Sequence, residues 1–167
     1  MKRGQSNLNF LIAVNKSAGI SSHDCVAACR KIFNEGRIGH MGTLDPLATG
    51  VMLIGVGSAA RLNNYLEHAD KTYIVIAKFG KTTNTYDAEG QVTATADVPE
   101  QISNKSFVLE YLQNLVGEHQ QIPPAFSAIK IDGKPAYKSA RNGKDVQLKS
   151  RDIEVYATRL IELGVDF

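Results

Sequence analysis

The stretch that fixes the interpretation of this chain is residues 39–50, GHMGTLDPLATG. Its three glycines allow tight turns and close approach of the backbone to a ligand. Asp45 is a lone carboxylate beside Leu44, Pro46 and Leu47, and a carboxylate among apolar neighbours is costly unless it is paired or functional. The residues alone leave two interpretations open, an aspartate that caps a turn before proline and a reactive carboxylate. His40 alone is more typical of an ordinary loop histidine.

The segments on either side of this stretch predict an α+β fold with a mixed, mainly antiparallel sheet and flanking helices, because strands and helices do not alternate strictly. Ser21 followed by Asp24 resembles a capping box at the start of a helix. Residues 35–50 are predicted to be a loop. The predicted strands are 10–14, 51–56, 72–79, 91–96 and 153–163, with a hairpin around Asp132-Gly133, and the predicted helices are 23–34, 58–69, 105–116 and 135–142.

Length and composition indicate one soluble globular domain. The chain has 167 residues, of which 43% are hydrophobic and 22% charged. It has neither an apolar run of the ~18 residues that a membrane helix needs nor a recognisable signal peptide, so we expect a cytoplasmic protein without membrane contact. Cys25 and Cys29 share one face of the helix predicted over residues 23–34, which is typical of small core residues rather than of a metal site.

The distribution of charge favours a nucleic-acid partner more than the net charge of +2 does. Residues 1–44 carry six basic and two acidic side chains, and residues 121–151 carry seven basic and two acidic ones. The block between them, residues 67–120, has four basic and eight acidic side chains. Two basic blocks can form one phosphate-binding face after folding, although many basic blocks are only solvated surface.

A second glycine-rich segment, residues 55–60 (GVGSAA), fits the pattern of a dinucleotide-binding turn between a strand and a helix. That fingerprint also needs an acidic residue near the end of the next strand, and the strand predicted over residues 72–79 is followed by Lys81 instead. A nucleotide-dependent oxidoreductase is therefore a weak third hypothesis.

Five motifs in family order make the chain similar to TruB-type tRNA pseudouridine synthases. Residues 39–50 resemble the signature GHxGTLDPxATG of that family. The other four motifs are KSAGISS at 16–22, with Ser17 where proline is usual, KTY at 71–73, TNTYDAEG at 83–90 and QIPPAFSA at 121–128. The five matches together cover nearly the whole chain.

The resemblance implies the pseudouridine synthase fold and isomerisation of a uridine in the T-loop of tRNA, at position 55, without a cofactor or metal. It implies that Asp45 is the covalent nucleophile and that His40 helps to fill the space left by the flipped-out base. Tyr73 would pack against that base and is the candidate for removing its C5 proton, although a strand tyrosine is by itself more often a core residue. The further expected substrate contacts are Gly42, Thr43, Leu44, Lys16, Lys71, Lys130, Lys138 and Arg141.

The chain departs from the family pattern at its C-terminus. The family has a later strand motif resembling G-T-Y-I-R-S-L, whose arginine pairs with the aspartate, and the 167 residues do not contain it. We therefore expect residues 1–167 to be a partial catalytic domain with no C-terminal RNA-binding domain. No protein partner is required, but an exposed sheet edge would permit self-association. The alternative is an inactive tRNA-binding fragment or RNA chaperone.

Overall fold

The computed structural model describes residues 6–66, 69–123, 130–131, 134–135 and 148–164. The chain forms two compact units, Met1–Tyr73 and Ile74–Phe167. Both contain helices and antiparallel strand pairs, so the predicted α+β class is confirmed. No helix among the described residues is both long and apolar enough to cross a bilayer.

The first unit is a three-stranded antiparallel sheet packed against one helix. The strand order is β1-β3-β2. The elements are β1 Phe10–Lys16, α1 Ser22–Phe33, β2 Ile38–His40, β3 Gly50–Val56, a 3-10 helix at Gly57–Leu62 and α2 Asn63–Leu66. The predicted loop over 35–50 therefore contains a short strand, β2, and the predicted helix over 58–69 divides into a 3-10 turn and a short α-helix.

The core of this unit lies between α1 and the sheet. Its buried side chains are Cys25, Val26, Cys29, Ile38, Met52, Ile54 and Val56. Full burial of a valine or isoleucine side chain contributes about 1.5–3 kcal/mol. Phe10 and Phe33 close one end with an edge-to-face contact, their ring centroids 5.2 Å apart. Both cysteines are free thiols in this core, as predicted, and burial, followed by the neighbouring Cys25, raises the pKa of Cys29.

Helix α1 begins where its sequence predicts. The Ser21 side chain accepts a hydrogen bond from the Asp24 amide, and the Asp24 carboxylate accepts from the Ser21 amide at 2.8 Å. This is the reciprocal capping box that the two residues predict. The helix ends at Asn34, which adopts the left-handed conformation with φ of 49°.

Among its described residues, the second unit contains three separate antiparallel pairs, one α-helix and a 3-10 helix at Glu100–Ser103. The pairs are β4 Lys81–Thr83 with β5 Val92–Thr95, β6 Gly117–Gln121 with β9 Arg151–Val155, and β7 Lys130–Ile131 with β8 Lys134–Pro135, while α3 is Lys105–Asn114. The antiparallel β7–β8 pair agrees with the predicted hairpin, while its turn residues Asp132 and Gly133 lie outside the described residues. Of the helix predicted over 135–142, Pro135 belongs to β8 and the other positions lie outside the described residues.

Two predicted strands are wrong in whole or in part. Residues 72–79 form no strand, and Tyr73 and Ile74 are 67% and 83% exposed. The strand predicted over 153–163 stops at Val155. An apolar, β-branched segment favours extended backbone, but a strand exists only where a neighbour accepts and donates its backbone hydrogen bonds. None of the described strands pairs with residues 72–79.

Candidate active site

The signature residues 39–50 form the connection between two neighbouring strands. They begin in β2, which pairs with β3 through His40 and Ile54, and they return at Gly50, the first residue of β3. The Met41 amide donates to the Leu53 carbonyl at 2.9 Å and extends this pairing by one bond. Gly42 then turns the chain with φ of +118°, a conformation that residues with a Cβ rarely adopt. The loop that carries Asp45 is therefore anchored in the sheet at both ends.

Asp45 is exposed, and the residues before and after it are held by hydrogen bonds. The Ala48 amide donates to the Asp45 carbonyl at 3.0 Å, which makes a turn over Pro46 and Leu47. The backbone of Leu44 bonds to Ser22, and the carbonyl of Pro46 accepts from the Gly19 amide at 2.8 Å. An exposed carboxylate on a braced backbone is available to a ligand while its position is restricted. Asp45 thus begins a turn and its carboxylate is accessible, while its reactivity stays a prediction.

The hydrogen bonds that hold the residues on either side of Asp45 form a brace, and Lys16 contributes to it. The predicted contact of Lys16 with phosphate is wrong for the conformation described. The side chain is 0% exposed. Its ammonium donates to three carbonyls, those of Ser17 at 3.0 Å, Ile20 at 2.8 Å and Pro46 at 3.2 Å. An ammonium has three donors, so none remains for a phosphate oxygen. Lys16 instead joins the end of β1 to the residue that follows Asp45.

His40 is half-buried at the end of β2. Its Nδ1 atom is buried and has no hydrogen-bond partner among the described residues. An unsatisfied buried polar atom costs about 1–3 kcal/mol and calls for an explanation, such as a group that arrives with a ligand. Thr43 is exposed, whereas Leu44 packs against the core of the first unit.

The remaining predicted site residues lie outside the connection between β2 and β3. Tyr73 is exposed and lies outside any strand. Lys71 is exposed and donates to the carbonyl of Ala69. Lys130 lies in β7, while Lys138 and Arg141 lie outside the described residues. The convergence of Tyr73 with Asp45 and His40 thus stays a prediction.

Hydrogen bonds to Asp87 organise the loop after β4. Asp87 accepts from the Thr85 hydroxyl at 2.6 Å and from the Glu89 amide at 2.9 Å, while its carbonyl accepts from the Thr83 hydroxyl at 2.7 Å. These bonds support the structural-turn interpretation of the motif at residues 83–90. Within the described ranges, no cluster of three or more His, Cys, Asp or Glu side chains could hold a metal ion.

The dinucleotide-binding hypothesis for residues 55–60 is contradicted by the fold. That fingerprint requires a parallel β-α-β unit, but β3 pairs antiparallel with both β1 and β2 and leads into a 3-10 helix. Gly57 has a different explanation, because a Cβ there would lie 1.9 Å from the carbonyl oxygen of Leu8. Close backbone packing, rather than phosphate binding, accounts for the glycine.

Sequence reasoning missed Ser22, which contacts the loop directly. The available signal was the second serine of KSAGISS at residues 16–22. It passed unnoticed because a serine at the start of a helix is ordinarily explained by capping, which here is the work of Ser21.

The sequence of this chain is similar to the sequences of known proteins. The sequence profile described as TruB family pseudouridylate synthase (N terminal domain) matches residues 30–166. The tRNA pseudouridine synthase B of Francisella philomiragia subsp. philomiragia is 41% identical over 99% of this chain and 55% of its own length. That of Francisella tularensis subsp. novicida is 40% identical over the same shares. The chain thus spans about half the length of these curated relatives.

Solved structures also include chains similar to this one. A chain in the crystal structure of a Cbf5-Nop10-Gar1 complex shares 28% identity with a TM-score of 0.46, over 72% of this chain and 30% of that one.

Proposed function

The chain belongs to the TruB family of pseudouridylate synthases, and from that premise we propose that it isomerises uridine to pseudouridine at position 55 in the T-loop of tRNA. Asp45 is the proposed nucleophile. The observation that carries the proposal is the placement of this carboxylate, exposed on a loop whose backbone is fixed on both sides of it. We propose residues 1–167 as part of a catalytic domain, in a cytoplasmic protein that acts on tRNA.

The proposed chemistry needs one carboxylate and one base. The Asp45 carboxylate attacks either C6 of the uracil or C1′ of the ribose, and the bond between C1′ and N1 breaks. The base turns, a bond forms between C1′ and C5, and the carboxylate leaves. The C5 proton departs and N1 gains a proton, so the reaction is an isomerisation with no net loss of atoms. Tyr73 is the proposed acceptor of the C5 proton.

The target base must leave the helical stack before Asp45 can reach it. We propose that the half-buried imidazole of His40 takes the vacated space by stacking, and that its unpartnered Nδ1 then meets a polar group of the RNA. Gly42, Thr43 and Leu44 lie in the same loop as Asp45 and are proposed to contact the nucleotide. Lys71, Lys130, Lys138 and Arg141 are proposed contacts to phosphate.

A second candidate function is tRNA binding without turnover. It is favoured by the two basic blocks at residues 1–44 and 121–151, which would support contact with phosphate whether or not Asp45 reacts.

The test is tritium release from tRNA that carries [5-³H]uridine, because the C5 hydrogen must leave when pseudouridine forms. Two proteins are compared, the 167-residue chain and a fusion of this chain to the part of the F. philomiragia relative that follows the matched region. We expect release by the fusion from normal tRNA, and none from tRNA with cytidine at position 55. Binding by both proteins with no release from either supports the second candidate, and release from the cytidine-55 tRNA contradicts the assignment of the position.

A further inference from the structure

We propose that Ser22 is a positioning residue for the nucleophilic carboxylate of Asp45. Ser22 is 3% exposed, and its hydroxyl makes two hydrogen bonds to one residue. It donates to the Leu44 carbonyl at 2.9 Å and accepts from the Leu44 amide at 2.9 Å. A hydroxyl can donate once while accepting, so one oxygen satisfies both polar groups of the residue before Asp45.

Helix capping does not explain these bonds. Ser21 already caps α1, since its oxygen accepts from the Asp24 amide at 3.2 Å and donates to the Asp24 carboxylate at 2.6 Å. Ser22 is the first residue inside the helix, and its hydroxyl is directed to a partner 22 positions along the chain. The two adjacent serines therefore have separate roles, one within the helix and one between the helix and the loop.

The bonds act on the geometry of Asp45 through the peptide that joins it to Leu44. The Leu44 carbonyl belongs to that planar peptide, so fixing its direction also fixes the direction of the Asp45 amide. The Leu44 side chain packs against the core, and on the other side of Asp45 the Pro46 carbonyl is held by Lys16. The exposed carboxylate keeps its side-chain rotation, while its Cα is held from both directions.

Removing the Ser22 hydroxyl releases one side of this brace. A displacement of about 1 Å at a reacting group can reduce a rate by about 100-fold. This inference rests on the proposed function, so its effect is expected in kcat. We expect Ser22→Ala to lower kcat for tritium release by about 10- to 100-fold while KM stays within about threefold, because RNA contacts elsewhere are intact.

A second readout needs no turnover. In the 167-residue chain, NMR measures the hydrogen-exchange rate of the Leu44 amide, which donates to the Ser22 oxygen. We expect this amide to exchange at least about tenfold faster in Ser22→Ala. The Met41 amide, which donates to Leu53, is the internal reference in the same loop, and its rate should stay within about threefold.

Two variants separate hydrogen bonding from packing and from helix stability. Ser22→Cys fills the same space with a weak donor and acceptor, so it should resemble Ser22→Ala if the bonds matter. Ser21→Ala removes the helix cap without touching Leu44, so it should lower the thermal midpoint and leave kcat within about threefold.

These experiments test the positioning role of Ser22 separately from the proposed function. Unchanged kcat and unchanged Leu44 exchange in Ser22→Ala overturn the positioning role, and so does a Ser22→Cys variant that behaves as wild type. If the wild-type fusion itself releases no tritium, the proposed function and the catalytic part of this inference both fail. Faster exchange at Leu44 would then still establish the structural contact.

Discussion

The ammonium of Lys16 donates to the carbonyl oxygen of Pro46 at 3.2 Å, thirty positions away and one residue beyond Asp45. Together with the bonds from Ser22 to Leu44, it ties the segment at residues 16–22 to the loop that carries the carboxylate. The motifs at residues 16–22 and 39–50 are separate in the sequence and together form this brace. Its contribution to the free energy of unfolding can be measured.

Replacing Lys16 should destabilise the protein more than replacing a surface lysine does. Lys16→Met leaves three carbonyls without their charged donor. Hydrogen bonds to charged groups contribute about 1.5–3 kcal/mol each, and the cost of removing the ammonium from water reduces their net contribution. We expect the free energy of unfolding to fall by about 1–3 kcal/mol in urea titrations. The control is Lys149→Met, an exposed position where a change within about 0.5 kcal/mol is expected. Equal stability of Lys16→Met and wild type would mean that the brace contributes nothing.

The capping box should weaken in acid. The Ser21 hydroxyl, followed by the Ser21 amide, lowers the pKa of Asp24 from its ordinary value of 3.8. Because the folded pKa is the lower one, the stabilisation is present above about pH 3.8 and is lost as pH falls through the folded pKa. The difference in urea midpoint between wild type and Asp24→Asn should therefore be larger at pH 6 than near pH 2.5.

A direct titration tests whether the Ser21 hydroxyl is the cause of the lowered pKa of Asp24. In Ser21→Ala the hydroxyl donor is gone, so the pKa of Asp24, followed by NMR, should move up towards its ordinary value. A difference in urea midpoint between wild type and Asp24→Asn that is the same at pH 6 and near pH 2.5 would contradict the stabilising role of the Asp24 carboxylate.

RNA binding should depend steeply on salt. Each phosphate contact releases counterions, so Lys130→Ala and Lys138→Ala should each reduce the slope of log affinity against log salt by about 1 for a T-arm hairpin. The matched control is Lys105→Ala, an exposed lysine within the acidic block, which should leave the slope unchanged. Fluorescence anisotropy between about 50 and 200 mM salt measures the slope. Binding that does not respond to salt would refute the basic-face hypothesis.

Local signals predicted the first unit well. The Ser21 and Asp24 pair located the start of α1 within one residue, because a capping box depends on contacts three residues apart. The apolar run at 51–56 identified β3, whose side chains form the core. The short strand β2 was missed because three residues beside glycines carry no periodicity.

The errors concern interactions that a local pattern does not contain. Residues 72–79 have the composition of a strand, but pairing depends on a partner elsewhere in the chain. Lys16 was predicted to contact phosphate, because lysine is rarely buried, but its side chain is buried and its ammonium donates to three carbonyls from two segments. The partner of Ser22 is also distant in the sequence, 22 positions away, and no local pattern contains it.

The central claim, that Asp45 is the nucleophile, is tested most directly by Asp45→Asn in the fusion protein that releases tritium. The amide keeps the shape of the side chain but has lost the negative charge needed for attack. We expect turnover to fall by at least about 1,000-fold, with affinity for tRNA within about threefold, as is typical when an interaction made only in the transition state is removed. Asp97→Asn, at an exposed position outside any helix or strand, is the control and should retain wild-type turnover. Tritium release by Asp45→Asn at a rate near that of wild type would contradict the account.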